Sequence, residues 1–174
     1  MQLIPRFVTL IPLPVELIPL RVEDRILFHY IFNKNNNRKD NEMTIFKDKV
    51  AVITGAASGI GKGLAIRCVE EEMKVALAHI EAEPLEETRR ALEKHGGKVI
   101  AVHIDVSSLE DIEKLAEKTM EAFGSVHCLF NNAGVGAGTS VWESTYKDWQ
   151  WVMGVNLDSV IYACRTFIPI MLNQ

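Results

Sequence analysis

The sequence has little of what marks several protein classes. Its 174 residues include three cysteines, Cys68, Cys128 and Cys164. An odd, widely spaced set that falls in predicted helix, strand and helix fits apolar free thiols rather than a disulfide frame, and points to a reduced, cytoplasmic protein. Neither these cysteines nor His29, His79, His95, His103 and His127 form the short-spaced pairs that zinc requires, so no metal site is expected. A basic stripe with interleaved aromatics is missing and the formal net charge is −4, which argues against a nucleic-acid partner. An uninterrupted apolar span is missing too. Met1 to Leu20 comes nearest, but Pro5, Pro12, Pro14 and Pro19 break it, and Arg6 and Glu16 add charge, so neither a membrane anchor nor a signal-peptide core is expected. No internal repeat is visible. What the chain does have is a hydrophobic content of 48%, enough for the core of one domain.

The organising stretch is Lys49 to Gly63. Val50 to Ile53 is a short apolar run without polar alternation, as suits a strand buried on both faces of a parallel sheet. It breaks into Gly55, Gly59 and Gly61, spaced G-x-x-x-G-x-G, after which Ile60, Leu64 and Cys68 recur every four residues and predict a helix. The first turn of a helix has amide donors without internal partners and a partial positive charge, so a pyrophosphate can settle there if no side chain stands in the way. Gly55 permits the tight turn, Gly59 lets the backbone approach the ligand, Gly61 lets helix and strand pack closely, and Ser58 can offer a hydroxyl.

Downstream the chain alternates strand and helix, which predicts a parallel sheet with helices on both faces. Strands are expected at Lys74 to Ala78, Lys98 to His103 and Val126 to Asn131. A helix containing Pro84, Leu85, Thr88 and Leu92 should stop at Gly96-Gly97. Ser107 with Glu110, or Ser108 with Asp111, should cap the next, which buries Leu109, Ile112, Leu115, Ala116 and Phe123 and ends at Gly124. After a loop from Gly134 to Ser140, Thr145 and Asp148 cap a long helix from Tyr146 to about Leu172, which Pro169 is expected to kink or end early.

With Thr54 leading the glycine motif and Asn131-Asn132-Ala133-Gly134 closing another apolar strand, the sequence from about Phe46 onward resembles the classical short-chain dehydrogenase/reductase family. The resemblance implies a Rossmann-type doubly wound parallel sheet, here of about four strands in the order 3-2-1-4. It also implies an NAD(P)-dependent enzyme that moves hydride between a nicotinamide and an alcohol or ketone. It assigns cofactor contact to Thr54, Gly55, Ser58, Gly59, Ile60 and Gly61. Asp105 and Val106 would line the adenine pocket, although an Asp after a strand also starts turns. Asn132, Ala133 and Gly134 would meet the cofactor, with Asn131 structural. Asn156, a mediocre helix former, is implied as the residue whose backbone carbonyl holds a relay water, where the alternative is a solvent-facing side chain.

The position that binds the adenosine ribose, about 20 residues beyond the glycines, usually carries an acidic residue, or has an Arg nearby for a 2′-phosphate. Here it is His79, with Glu81 two residues on and no adjacent Arg. His79 therefore either contacts cofactor or is a solvated strand end, and the pattern leans to NAD over NADP.

The family's catalytic Ser and Tyr-x-x-x-Lys have no counterpart after Asn156. Tyr162 is followed four residues on by Thr166, and Tyr146 by Gln150. Tyr30 to Lys34 has the spacing but precedes the first strand. The sequence reads as the cofactor-binding front of the enzyme, cut before its acid/base residues. Loss of such groups costs about 10²–10⁴ in rate, so no useful turnover is expected of it alone. The last strand should be an edge prone to association. The other readings are a non-catalytic dinucleotide-binding or regulatory protein and a purely structural domain. Residues 1–42, including the asparagine-rich run Asn33 to Glu42, read as a disordered or non-native extension, with Met43 as the natural start. The family counterpart of the 146–172 helix packs on a second subunit, and Trp142, Trp149 and Trp151 near its start suit either an oligomer interface or cover for the sheet.

Overall fold

A computed structural model describes residues 45–138 and 140–174. The expected extension at 1–42, the start at Met43 and the Tyr30 to Lys34 spacing lie outside these residues. Four parallel strands, β1 (Val50–Thr54), β2 (Lys74–His79), β3 (Lys98–His103) and β4 (Cys128–Phe130), form one sheet in the order β3-β2-β1-β4. This is the α/β, doubly wound arrangement that the sequence predicts.

All five residues of β1 are buried, as its unbroken apolar run requires. Successive side chains face opposite sides of the sheet. Ala51 and Ile53 join Val75 and Leu77 of β2 beneath α1 (Gly59–Glu70) and α2 (Ala82–Lys94). Val52, Ala76 and Ala78 join Ile112, Leu115 and Phe167 on the other face, beneath α3 (Leu109–Phe123) and α5 (Ser159–Leu172). Full burial of a side chain such as Ile53, Leu115 or Phe167 contributes about 1.5–3 kcal/mol, so the two layers hold the strand ends in register.

Several local expectations are met and others corrected. Ser108, not Ser107, caps α3, its side chain accepting from Asp111 N at 3.3 Å, and Gly124 ends that helix at φ 72°. β2 runs one residue further than expected, to His79. β4 is three residues long rather than six. Its start is taken over by side chains: Val50 N donates to His127 Nδ1 at 3.1 Å and Val126 N to Gln174 Oε1 at 2.9 Å, while His127 N still reaches Val50 O at 2.8 Å.

The long helix is three segments: α4 (Tyr146–Met153), a wide π turn at Gly154–Asp158, and α5. Thr145 and Asp148 form the predicted capping box. Pro169 neither ends nor shortens the run, which continues to Leu172. Proline removes one amide donor, and this one lies in the last turn, where Asn173 N still closes on Pro169 O at 3.2 Å. The run of 27 residues is long and apolar enough to cross a membrane by length and composition. Its stripe Val155, Ser159, Ala163 and Phe167 is nevertheless buried in the domain's own core.

Candidate cofactor site

The glycine turn sits where β1 meets α1. Gly55 and Gly59 have φ of 67° and 50°, the left-handed region that side chains disfavour. At Gly61 a Cβ would lie 2.2 Å from Gly55 O, so only glycine lets the helix start this close to the strand. Ser58 precedes α1 in an extended conformation, and its side chain makes no capping bond. Lys62 N, donating to Ser58 O at 3.1 Å, is the first amide of the helix with a backbone acceptor. The amides of Gly59, Ile60 and Gly61 have none among the described residues, and no acidic side chain stands in the first turn. These are the bare donors and positive helix end that a diphosphate fits, and Gly59 opens onto free space. Ile60 lies beside them, half exposed.

The end of β4 is fastened to this turn through Thr54. Its Oγ1 donates to Phe130 O at 3.3 Å and accepts from Asn132 N at 3.0 Å and Ala133 N at 3.1 Å. Asn132 Nδ2 donates to Thr54 O at 2.9 Å and Gly55 O at 3.4 Å. Thr54 and the Asn132 side chain thus brace β4 against the glycine turn. Asn131 is buried, its Nδ2 3.7 Å from Cys164 Sγ. Asn156 does not face solvent: its Oδ1 accepts from Val135 N and its Nδ2 donates to Val135 O, both at 2.8 Å. It lies in the π turn, a geometry frequent at functional sites. Its Oδ1 stands 3.4 Å from where a Cβ on Gly134 would be, so the Asn156 side chain lies directly against the chain leaving β4.

Beyond the end of β3, Asp105 Oδ1 accepts from Ser107 N at 2.9 Å and Ser107 Oγ at 2.7 Å, the turn-forming role open to it in the sequence. Its Oδ2 has no protein donor among the described residues, so turn formation does not consume the carboxylate. Val106 is buried behind it. His79 and Glu81 are joined, Nε2 to Oε2, at 3.2 Å. His103 is a member of this group that the sequence reading missed. It pairs with His79 in the β2–β3 register, and its Nε2 is 2.7 Å from Ile80 O. The signal was available: both strands begin with Lys, span six residues and end in His.

The candidate residues therefore gather at the carboxyl ends of the parallel strands. A groove of about 510 Å³ between β3 and α3, floored by Ile100 and Val102, lies at the outer edge strand and holds none of the glycine-turn residues. Thiolate chemistry finds no support in Cys68, whose burial in an apolar layer pushes its thiol up to about 12.

Residues 49–174 match the family model described as short chain dehydrogenase. The chain belongs to the short-chain dehydrogenase family. It is 38% identical over 132 residues to the CLA biosynthesis dehydrogenase/reductase of Lactiplantibacillus plantarum, covering 76% of this chain and 46% of that protein. Among solved structures, a short-chain dehydrogenase/reductase from Burkholderia phymatum in complex with NAD aligns at 49% identity and a TM-score of 0.73, over 74% of this chain and 46% of that one. L-sorbose reductase from Gluconobacter frateurii, complexed with NADPH and L-sorbose, aligns at 32% identity and 0.69, over 72% and 48%. The chain thus spans about half the length of the relatives it matches.

Proposed function

We propose that this short-chain dehydrogenase chain is the dinucleotide-binding half of an oxidoreductase acting on an alcohol or ketone, and that it binds the cofactor without useful turnover by itself. The observation that carries the reading is the set of three bare amides, Gly59 to Gly61, at the uncompensated positive end of α1. A nicotinamide dinucleotide, when bound, supplies or accepts the hydride. The chain's own residues do the rest. The α1 amides and Ser58 hold the diphosphate, Asp105 and Val106 the adenine, and Ala133 and Gly134 leave room for the nicotinamide ribose. Thr54, Asn132 and Asn156 keep that opening in shape. The Asn156 carbonyl is assigned to a water on the proton path, and the wide turn in which it sits favours that use. The names of the relatives support an alcohol or ketone, and NAD is favoured over NADP. The protein is assigned to the cytoplasm, with a second copy packing on the outer stripe of the 146–172 helix.

Titration with NADH and NADPH, read by nucleotide fluorescence, tests this. Saturable binding by the wild-type chain is expected, with affinity falling about tenfold or more in Gly59→Asn, since asparagine tolerates a left-handed backbone but covers the amides. Equal affinity in the variant, or no binding by a folded wild-type chain, overturns the reading.

A further inference from the structure

The two edges of the sheet are finished differently. At β4, the side chain of Gln174 takes both backbone groups of Val126, its Oε1 accepting from Val126 N at 2.9 Å and its Nε2 donating to Val126 O. β3, at the other end of the order β3-β2-β1-β4, carries no such cover among the described residues. We propose that this open edge, with the groove that α3 forms along it, docks an extended peptide that adds a strand to the sheet and places an acidic residue beside Lys114. None of the glycine-turn residues takes part.

The backbone of β3 sets the terms. Ile104 N donates to His79 O at 3.1 Å, and His79 pairs with His103 in the parallel register. In a strand, the N–H and C=O of one residue point to the same side and those of the next residue to the other. The even-numbered residues of β3 therefore bond β2, while Val99, Ala101 and His103 turn their donors and acceptors outward. Among the described residues none of these groups has a partner.

The groove reaches this backbone. Ile100, Ala101, Val102 and His103 line it in succession. Strand side chains alternate between faces, so a groove touched by all four runs along the open edge itself. The facing wall is one side of α3, with Lys114, Lys118 and Glu121 at helical spacing. An added strand would lie about 4.8 Å from β3, so every second side chain would enter between sheet and helix, onto the apolar floor of Ile100 and Val102.

Charge selects what enters. Lys118 is paired with Glu121 at 2.7 Å, whereas Lys114 has no ion pair among the described residues. The wall thus offers one cation without a carboxylate partner, on a chain whose net charge is −4. A small carboxylic acid would engage that lysine and leave the outward donors and acceptors of β3 unmatched. A peptide satisfies both, the mode in which sheet edges recognise extended chains.

The test uses the full chain and fluorescein-labelled Glu-Thr-Val-Thr-Val-Thr, which puts Glu and both Val on one face, read by anisotropy. Two further forms are N-methylated, one at the valines and one at the threonines. A strand offers alternate amides to opposite edges, so one methylated form should bind about tenfold or more weakly, having lost two or more hydrogen bonds, and the other within about threefold of the parent. Lys114→Glu, an exposed change, should weaken the parent peptide about fivefold, the upper range of an exposed ion pair, and leave a peptide with Gln in place of Glu unaffected. Circular dichroism checks that the variant keeps the fold. In amide exchange the peptide should protect Ala101 and His103, but add little at Val102, which already bonds β2. No saturable binding by the folded chain, equal affinities for the two methylated forms, or equal binding by Lys114→Glu overturns the inference. Protection of Ala101 and His103 that grows with protein concentration in the absence of peptide assigns the edge to a second copy and overturns the peptide as its occupant.

Discussion

The segment from β1 into α1 and the helical run from Tyr146 to Leu172 use apolar sequence in opposite ways. In the first, every strand side chain is buried and the polar groups at the strand end are satisfied by one another, Thr54 alone engaging Phe130, Asn132 and Ala133. What it leaves bare is backbone: three amides aimed outward. In the second, the inner stripe Val155, Ser159, Ala163 and Phe167 is buried, while an outer stripe of Tyr146, Trp149, Met153, Leu157 and Ile161 repeats at helical spacing on the exposed side. The contrast separates two kinds of incompleteness. A helix start short of acceptors calls for a small anion. An exposed apolar stripe calls for another surface, because large contiguous apolar patches are uncommon on monomers.

Breaking the first region should have the largest effect. Gly61→Val would drive a Cβ into Gly55 O, 2.2 Å away, where both partners are backbone and neither can yield cheaply. A loss of about 4 kcal/mol or more is expected in urea unfolding, in the range reserved for disrupted cores. An unfolding midpoint close to wild type would show that α1 can slide from β1 and that the close packing is dispensable. Next comes Thr54→Val, nearly isosteric but unable to accept from Asn132 and Ala133. Two buried-side amides lose their acceptor, so about 2–3 kcal/mol is expected, together with weaker nucleotide binding as the β4 end loosens.

A smaller effect sharpens the boundary between the regions, where β4 joins β1. Burial first, then the charges of Lys49 and Lys74, hold His127 below its ordinary 6.5. The neutral ring is the one that accepts from Val50 N through Nδ1. The unfolded chain therefore takes up a proton at higher pH than the folded one. The contribution is fully present above pH 6.5 and is lost as the pH falls through 6.5 toward the lowered folded value. His127→Gln should flatten that part of the stability profile, and an unchanged slope between variant and wild type would remove His127 as its source.

The smallest stability effect belongs to the outer stripe. Ile161→Lys should alter the unfolding free energy of the monomer by no more than about 0.5 kcal/mol, as for an ordinary surface change. In sedimentation it should nonetheless shift any self-association toward monomer. Identical sedimentation of both proteins across concentrations would count against this stripe as the contact between copies.

The strand positions and the placement of the glycine turn were legible in the sequence because both follow from local patterns, an unbroken apolar run, glycines at fixed spacing, and apolar residues every third or fourth position, whereas the strand order came from the family resemblance. Helix caps were legible for the same reason, down to Thr145 with Asp148. What escaped was set by side chains that replace backbone. β4 came out short because His127 and Gln174 occupy donors that a ladder would otherwise use, and nothing in a hydropathy pattern distinguishes a ring nitrogen from a carbonyl. Asn156 was legible as anomalous, but its partner, Val135, lies 21 residues earlier, a separation that no local pattern spans. Pro169 misled because a proline's effect depends on how many helical bonds remain to be broken after it. His103 was hidden by its ordinary position at a strand end, although the equal lengths of β2 and β3 place it opposite His79.

The π turn at Gly154 to Asp158 also fixes the phase of everything beyond it. Five residues there complete a loop that an ordinary α-helix closes with fewer, so the chain carries in effect one supernumerary residue. Excising any one of the five would restore regular winding and rotate the downstream helix by about 100° about its axis. Phe167 would swing away from the sheet, and the carboxamide that grips Val135 would lose its aim. One short irregularity thus acts as the timing mark that lets a single rod serve the opening on one flank and offer a greasy seam on the other.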